Sequence, residues 1–247
     1  MIKFLYIAII LSSFLWASDD KSEDKKTYSE IKSWYKNSKE KPVSFYPTHT
    51  NERLEKKSFL QIILIRHGNP EINKNGWFSY KEAKNYIKAY DTVNVRSIEK
   101  PPVILESGEE VKIYSSSLYR AYDTAVKIFG DDRTITVDSV FIEFQREITP
   151  LPLILPIKAW TGLSRFFWII GLHSTDIPSF RSEKSRAKRG AELLEMATTE
   201  NNKVILVGHG FLNKYIVRSL KKNGWKHSFN GGNDYLAVQV MTKIEYK

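Results

Sequence analysis

The stretch "FLQIILIRHG", Phe59 to Gly68, runs apolar side chains, broken only by Gln61, straight into an arginine, a histidine and a glycine. A near-continuous apolar run of this length reads as a strand buried on both faces, which is the habit of parallel sheets. Its end is the unusual part, because Arg66 and His67 are groups that bind anions. In open α/β sheets ligands bind beyond the carboxyl ends of the strands. A buried strand that stops in Arg-His is what such a sheet would present to an anionic ligand.

Alternation along the chain supports that reading. "SYKEAKNYIKAY" has helical periodicity, "VKIYSSS" reads as a strand, and "YRAYDTAVKIF" as a helix ending at Gly130. "TITVD" is a third strand. The segment from Thr149 to about Pro178 reads as irregular. After it come the helix "SEKSRAKRGAELLEMA", the strand "KVILVG", the helix "FLNKYIVRSLKK" and a last strand "YLAVQVMT". Strands alternating with helices predict an α/β fold with a mostly parallel sheet and helices on both faces.

Three strand ends then carry similar chemistry. The first gives Arg66, His67 and Gly68; the second leads to Arg120 at a helix start; "VILVGHG" delivers His209. Arginine suits a phosphate site because its planar fork holds two oxygens at once, and helix N-termini add N–H donors. A neutral imidazole can attack phosphorus and carry the phosphoryl group, and neighbouring arginines disfavour its protonation. The leaving oxygen needs a proton from a carboxylic acid. Glu143 and Glu147, in "VDSVFIEFQRE", are the candidates, with Glu143 preferred.

These motifs together resemble the histidine phosphatase superfamily, also called phosphoglycerate mutase-like. Arg66-His67-Gly68 matches its hallmark, and Asn73 falls where the family often has an asparagine. Ser116, Ser117, Leu118, Arg120, Ala121, Thr124 and Ala125 follow its second signature, with the serines one place nearer the leucine than is common. Val137, Asp138 and Glu143 follow the pattern before its acid, with Phe141 in place of a leucine, and Gly208-His209-Gly210 matches its second histidine turn. The motifs span about Phe59 to Met241 in order. The resemblance implies a phosphoglycerate mutase-like fold and a metal-independent phosphatase without cofactor. His67 would be the phosphorylated nucleophile, and Glu143 the proton donor. Arg66, Arg120 and His209 would clamp the phosphoryl group, and Asn73 would join the substrate site. A phosphomutase of the same family, or a non-catalytic phosphate-binding envelope protein, are the alternatives. The loose match of "NPEINKNGWFSYKEA" to the glycolytic mutases favours a phosphatase.

The remainder of the chain sets the context. Its 247 residues carry a formal net charge of +10 and no cysteine. Disulfides and thiolate chemistry are therefore excluded, while the positive charge suits phosphorylated partners. Neither zinc-finger spacing nor an aromatic-glycine RNA signature is present, so no nucleic-acid partner is expected. No Gly-x-Ser-x-Gly elbow and no P-loop occur. Residues 1–17, with the apolar run Phe4 to Trp16, have the order of a secretory signal and are too short for a span of roughly 20 apolar residues. The expectation is export to a periplasmic or external space, with an uncleaved membrane anchor as the alternative. Residues 18–57 form a polar extension in which Tyr28, Ile31, Trp34 and Tyr35 fall at helical spacing, either packed on the main domain or part of a solvated linker. Residues 58–247 form the histidine phosphatase domain, with an insertion at about 149–180. Within it, Trp160–Leu172 reads as a packed helix, with a pocket lid or a membrane-surface contact as alternatives. His49, His173 and His227 read as surface or packing histidines. The substrate class is a phosphorylated small molecule or protein.

Overall fold

The computed structural model describes residues 22–37, 42–47, 57–172, 174 and 176–246. The chain begins there with a helix, α1, over residues 22–37. Then come β1 (Lys57–Arg66), α2 (Tyr80–Thr92), β2 (Lys112–Ser116), α3 (Tyr119–Phe129) and β3 (Ile135–Asp138). The second half runs through α4 (Ile157–Ile169), α5 (Phe180–Asn201), β4 (Lys203–Gly208), α6 (Gly210–Lys222), β5 (Lys226–Asn230) and β6 (Val238–Tyr246).

The strands form one six-stranded sheet in the order β3-β2-β4-β1-β6-β5. The first four are mutually parallel; β6 runs antiparallel to β1, and β5 antiparallel to β6. This is the mostly parallel α/β fold that the alternation predicts. Ile62, Ile63, Leu64 and Ile65 are fully buried at its centre. Because side chains alternate across a strand, Ile62 and Leu64 pack toward Leu194 of α5 and Leu212 and Ile216 of α6. Ile63 and Ile65 pack on the other side with Ile31 and Tyr35 of α1 and Ala125 of α3. The apolar spacing read in the extension thus serves packing. Gln61, the polar residue in the strand, accepts from Tyr46 N at 2.7 Å and donates to Tyr46 O at 3.0 Å. Those bonds satisfy a buried amide and tie residues 42–47 to the sheet.

Local signals explain the element ends. Ser79 caps α2 in a capping box with Glu82, and Gly130, at φ 83°, closes α3. The packed helix read at Trp160–Leu172, within the otherwise irregular Thr149–Pro178 segment, is α4, Ile157–Ile169. Two expectations need correction. Lys226–Asn230 form a strand, β5, that the sequence did not announce. The last strand runs Val238–Tyr246 rather than starting at Tyr235, and Leu236 sits at φ 61° in the turn before it. In each case tertiary pairing decided: β5 has only modest apolar alternation and exists as the partner of β6.

Helix α4 anchors through its tryptophans. Trp160 is fully buried and its Nε1 donates to Phe78 O at 2.7 Å. Trp168 is also buried and donates to Pro178 O at 2.9 Å. Contact of Trp160–Leu172 with a membrane surface is not supported, because both tryptophans are committed to the core. The opposite face exposes Phe166, Ile169 and Ile170. Among the described residues no helix is long and apolar enough to cross a membrane. The leader, His49 and His173 lie outside the described residues.

Candidate active site

Register places the two histidines together. Arg66 of β1 is the Cα partner of Gly208 of β4, so His67 and His209 are the next residues on neighbouring parallel strands. His67 N donates to Gly208 O at 2.9 Å, and the ring centroids are 5.2 Å apart. Strand β2, on the other side of β4, ends in Ser116, whose Oγ lies 2.8 Å from His209 Nε2. The chain then turns into α3 and delivers Arg120.

Arg120 is 1% exposed. Its Nε donates to His67 Nε2 at 3.3 Å, and its Nη1 meets Asp91 Oδ1 at 2.6 Å. Thr124, one turn on, accepts from Gly68 N at 2.8 Å and donates to Arg120 O at 2.6 Å. This threonine pins the His67 loop to α3, which gives it a physical role in the motif. Gly68 eases that approach, since a Cβ there would lie a tight 3.3 Å from Val95 and 3.4 Å from Thr124 Oγ1.

His67 is held from both sides. Its Nδ1 is 2.8 Å from Gly68 O, so the proton sits on Nδ1 and Nε2 keeps its lone pair toward Arg120. Burial, and then the charge of Arg120, hold its pKa well below 6.5. Burial and Arg120 do the same to His209, whose Nδ1 is buried without a hydrogen-bond partner. Both rings are therefore neutral at pH 7.

A cavity of about 330 Å³ opens beside His67. Arg66, Arg120, Arg146, Arg165 and Lys214 line it, with Glu143 as its carboxylate. Arg66 donates from Nη1 to Asn233 O, and its guanidinium lies 4.4 Å from the Tyr235 ring centroid. Gly210 makes room for it: a Cβ there would come within 3.3 Å of Arg66 Nε. Glu143 Oε1 accepts from Phe144 N at 2.9 Å and Leu212 N at 3.1 Å, while Oε2 is 4.0 Å from Arg165 Nη2. Glu147 lines other cavities and accepts from Ser174 Oγ at 2.7 Å.

His67, Arg66, Arg120 and Glu143 are thus gathered around one cavity, with His209 behind His67. Asn73 is not among its lining residues; it is exposed, and its Oδ1 accepts from Asn75 N at 3.0 Å in a local turn. His227 is half-buried on β5, remote from these residues in the sheet order. Sequence reasoning missed Arg146, Lys214, Tyr90 and Asp91. Asp91 Oδ1 receives Arg146 Nη2 at 3.4 Å as well as Arg120, and Tyr90 lies under both guanidiniums. None stands in a recognisable motif. Arg146, three residues after Glu143, was the one within reach by proximity.

No family model and no curated protein matches the chain. Solved structures similar to it include a mycobacterial glucosyl-3-phosphoglycerate phosphatase, at 19% identity and TM-score 0.44 over 74% of this chain and 90% of that one. A phosphoserine phosphatase from Entamoeba histolytica, in complex with 3-phosphoglyceric acid, is 20% identical with TM-score 0.40 over 76% and 97%. A protein described as mycobacterial hydrolase 1 is 20% identical with TM-score 0.44 over 76% and 96%. At this depth of overlap, the chemistry of the cavity rests on its own residues.

Proposed function

We propose that this protein is a histidine phosphatase, hydrolysing phosphate monoesters through a phosphohistidine on His67. One observation carries the reading: a buried, neutral imidazole with its proton fixed on Nδ1 and its Nε2 lone pair facing an arginine-lined cavity. The cavity's volume is that of a small-molecule site, so a phosphorylated small molecule is the better substrate class than a protein side chain.

In the first step, the Nε2 lone pair of His67 forms a bond to phosphorus while the ester P–O bond breaks. Arg66 and Arg120 hold the equatorial oxygens, while His209, fully buried and not among the residues lining the cavity, backs the His67 ring. The leaving oxygen takes its proton from the Glu143 carboxyl, giving an alcohol and a carboxylate. In the second step, Glu143 takes a proton from water as the water oxygen bonds to phosphorus. The N–P bond breaks, its electron pair returns to Nε2, and inorganic phosphate leaves. Positioned guanidiniums stabilise the charge that develops on the phosphoryl oxygens, and the sequence of steps needs no Lewis acid.

The test is hydrolysis of an aryl phosphate by purified protein in excess chelator. Turnover that survives chelation and is blocked by vanadate is expected. Loss of activity on chelation would overturn the reading. Export is part of the same proposal: N-terminal sequencing of the native protein should start near Ser18, and an intact Met1 in the membrane fraction would show an anchor instead.

A further inference from the structure

We infer that the cavity contains a second anion-binding subsite, built by Arg165 and Lys214, and that the substrate is a phosphate ester carrying a second anionic group. The inference rests on the phosphatase reading only for the identity of the reacting phosphate.

The charges in the cavity exceed what one phosphate needs. Five cations, Arg66, Arg120, Arg146, Arg165 and Lys214, face Glu143 in the cavity and Asp91 at its edge, an excess of three. A phosphate monoester supplies about two negative charges at neutral pH. The strand ends already provide for it with Arg66, Arg120 and the histidines, while Asp91 engages Arg146.

Arg165 has a different origin and a different setting. It comes from α4, the helix within the insertion, rather than from a strand end. The charges bearing on His67 are those of Arg120, Arg66 and Arg146. Arg165 instead stacks on Phe211, with Cζ 4.2 Å from the ring centroid, and stands 4.0 Å from Glu143. Its Nη1 is buried without a hydrogen-bond partner. A buried N–H left unmade is costly, and a guanidinium donor in that state on a cavity wall favours a charge-assisted hydrogen bond to a carboxylate or phosphate oxygen. Lys214 is exposed and lines the same cavity three residues after Phe211 on α6. The insertion therefore adds a cation to the cavity wall beyond those of the phosphoryl clamp.

Calorimetric binding of three phosphonates to the purified protein tests this, since their P–C bonds resist hydrolysis. The compounds are propylphosphonate, the same chain ending in a carboxylate, and the same chain ending in a second phosphonate. At least one doubly anionic compound should bind about tenfold tighter than propylphosphonate, the value of one charge-assisted hydrogen-bonded pair. Arg165→Gln and Lys214→Gln should each shrink that ratio. Lys214 is exposed, so its variant folds even if loss of the Arg165–Phe211 stack harms the other. Equal binding of all three compounds, or a ratio unchanged in both variants, would overturn the subsite. If every phosphate ester resists turnover while the binding ratio behaves as expected, the phosphatase reading fails and the subsite stands. Turnover of phosphate esters with equal phosphonate binding overturns the subsite alone.

Discussion

Arg120 and His67 form a hydrogen bond in which the arginine Nε donates to the histidine Nε2 at 3.3 Å, while His67 Nδ1 lies 2.8 Å from Gly68 O. The two contacts together fix the tautomer, and burial, then the charge of Arg120, keeps the ring unprotonated. An incoming phosphoryl group would take over both partners, its phosphorus meeting Nε2 and its oxygens the guanidinium. The Arg120–His67 bond thus marks the place of the reacting atom.

If Nε2 is the nucleophile, brief exposure to a labelled phosphate ester followed by quenching should leave a phosphoramidate, labile in acid and stable in base. The label should sit on the peptide containing "IRHGNPEINK". His67→Ala should abolish both label and turnover. His209→Ala should be nearly inactive without moving the label elsewhere. Label on Ser115, Ser116 or Ser117 would show a different mechanism.

Glu143 and Glu147 should separate cleanly. A general acid contributes about 10²- to 10⁴-fold, and matters most for leaving groups that need the proton. Glu143→Gln should cripple hydrolysis of alkyl phosphates and spare activated aryl phosphates more. Glu147→Gln should show no such pattern, because its carboxylate accepts from Ser174 outside the His67 cavity. The reverse result would move the acid by one helical turn's worth of sequence.

Acid should weaken the fold through the same two rings. Burial holds both His67 and His209 well below 6.5 in the folded state. Above pH 6.5 both are neutral in folded and unfolded chains and contribute no pH dependence. Below it the unfolded chain binds protons that the native state refuses, so stability falls as pH falls, by about tenfold in the unfolding equilibrium per pH unit for each histidine. Urea midpoints measured from neutral to mildly acidic pH should show the slope, and His209→Gln should flatten it. A slope unchanged in that variant would mean His209 titrates normally. In turnover, the limb due to His67 protonation should likewise lie below pH 6.5.

Asp91 is predicted to position rather than to react. It binds Arg120 at 2.6 Å and Arg146 at 3.4 Å through one oxygen. Misplacing a clamp by an ångström can lower rates by about 100-fold, so Asp91→Ala should cut kcat/KM for an aryl phosphate by about 10- to 100-fold. Asp91→Asn, which keeps an acceptor, should lose less. Equal, small effects in both variants would make the ion pair incidental.

The sequence by itself determined the sheet's parallel half and the chemistry at its strand ends. Local causes account for this. A strand buried on both faces must read as a long apolar run, and "FLQIILI" does. A helix cap needs its serine or glycine, as at Ser79 and Gly130. Strand-to-helix turns carry Arg66-His67-Gly68, Arg120 and His209 within a few residues of elements already legible. Tertiary structure alone decided the rest. Side chains such as Asp91, Arg146, Arg165 and Lys214 come from α2, a loop, α4 and α6, and meet only because the helices pack where they do. No spacing along a chain encodes that meeting. β5 lacks a strong local signal and pairs because β6 offers an edge, while α4 is fixed by burying Trp160 and Trp168. Asn73 illustrates the converse: a residue at a plausible motif position whose side chain folds back on its own loop. Sequence spacing records which groups follow one another. Which of them share a cavity is set by packing between elements far apart in the chain.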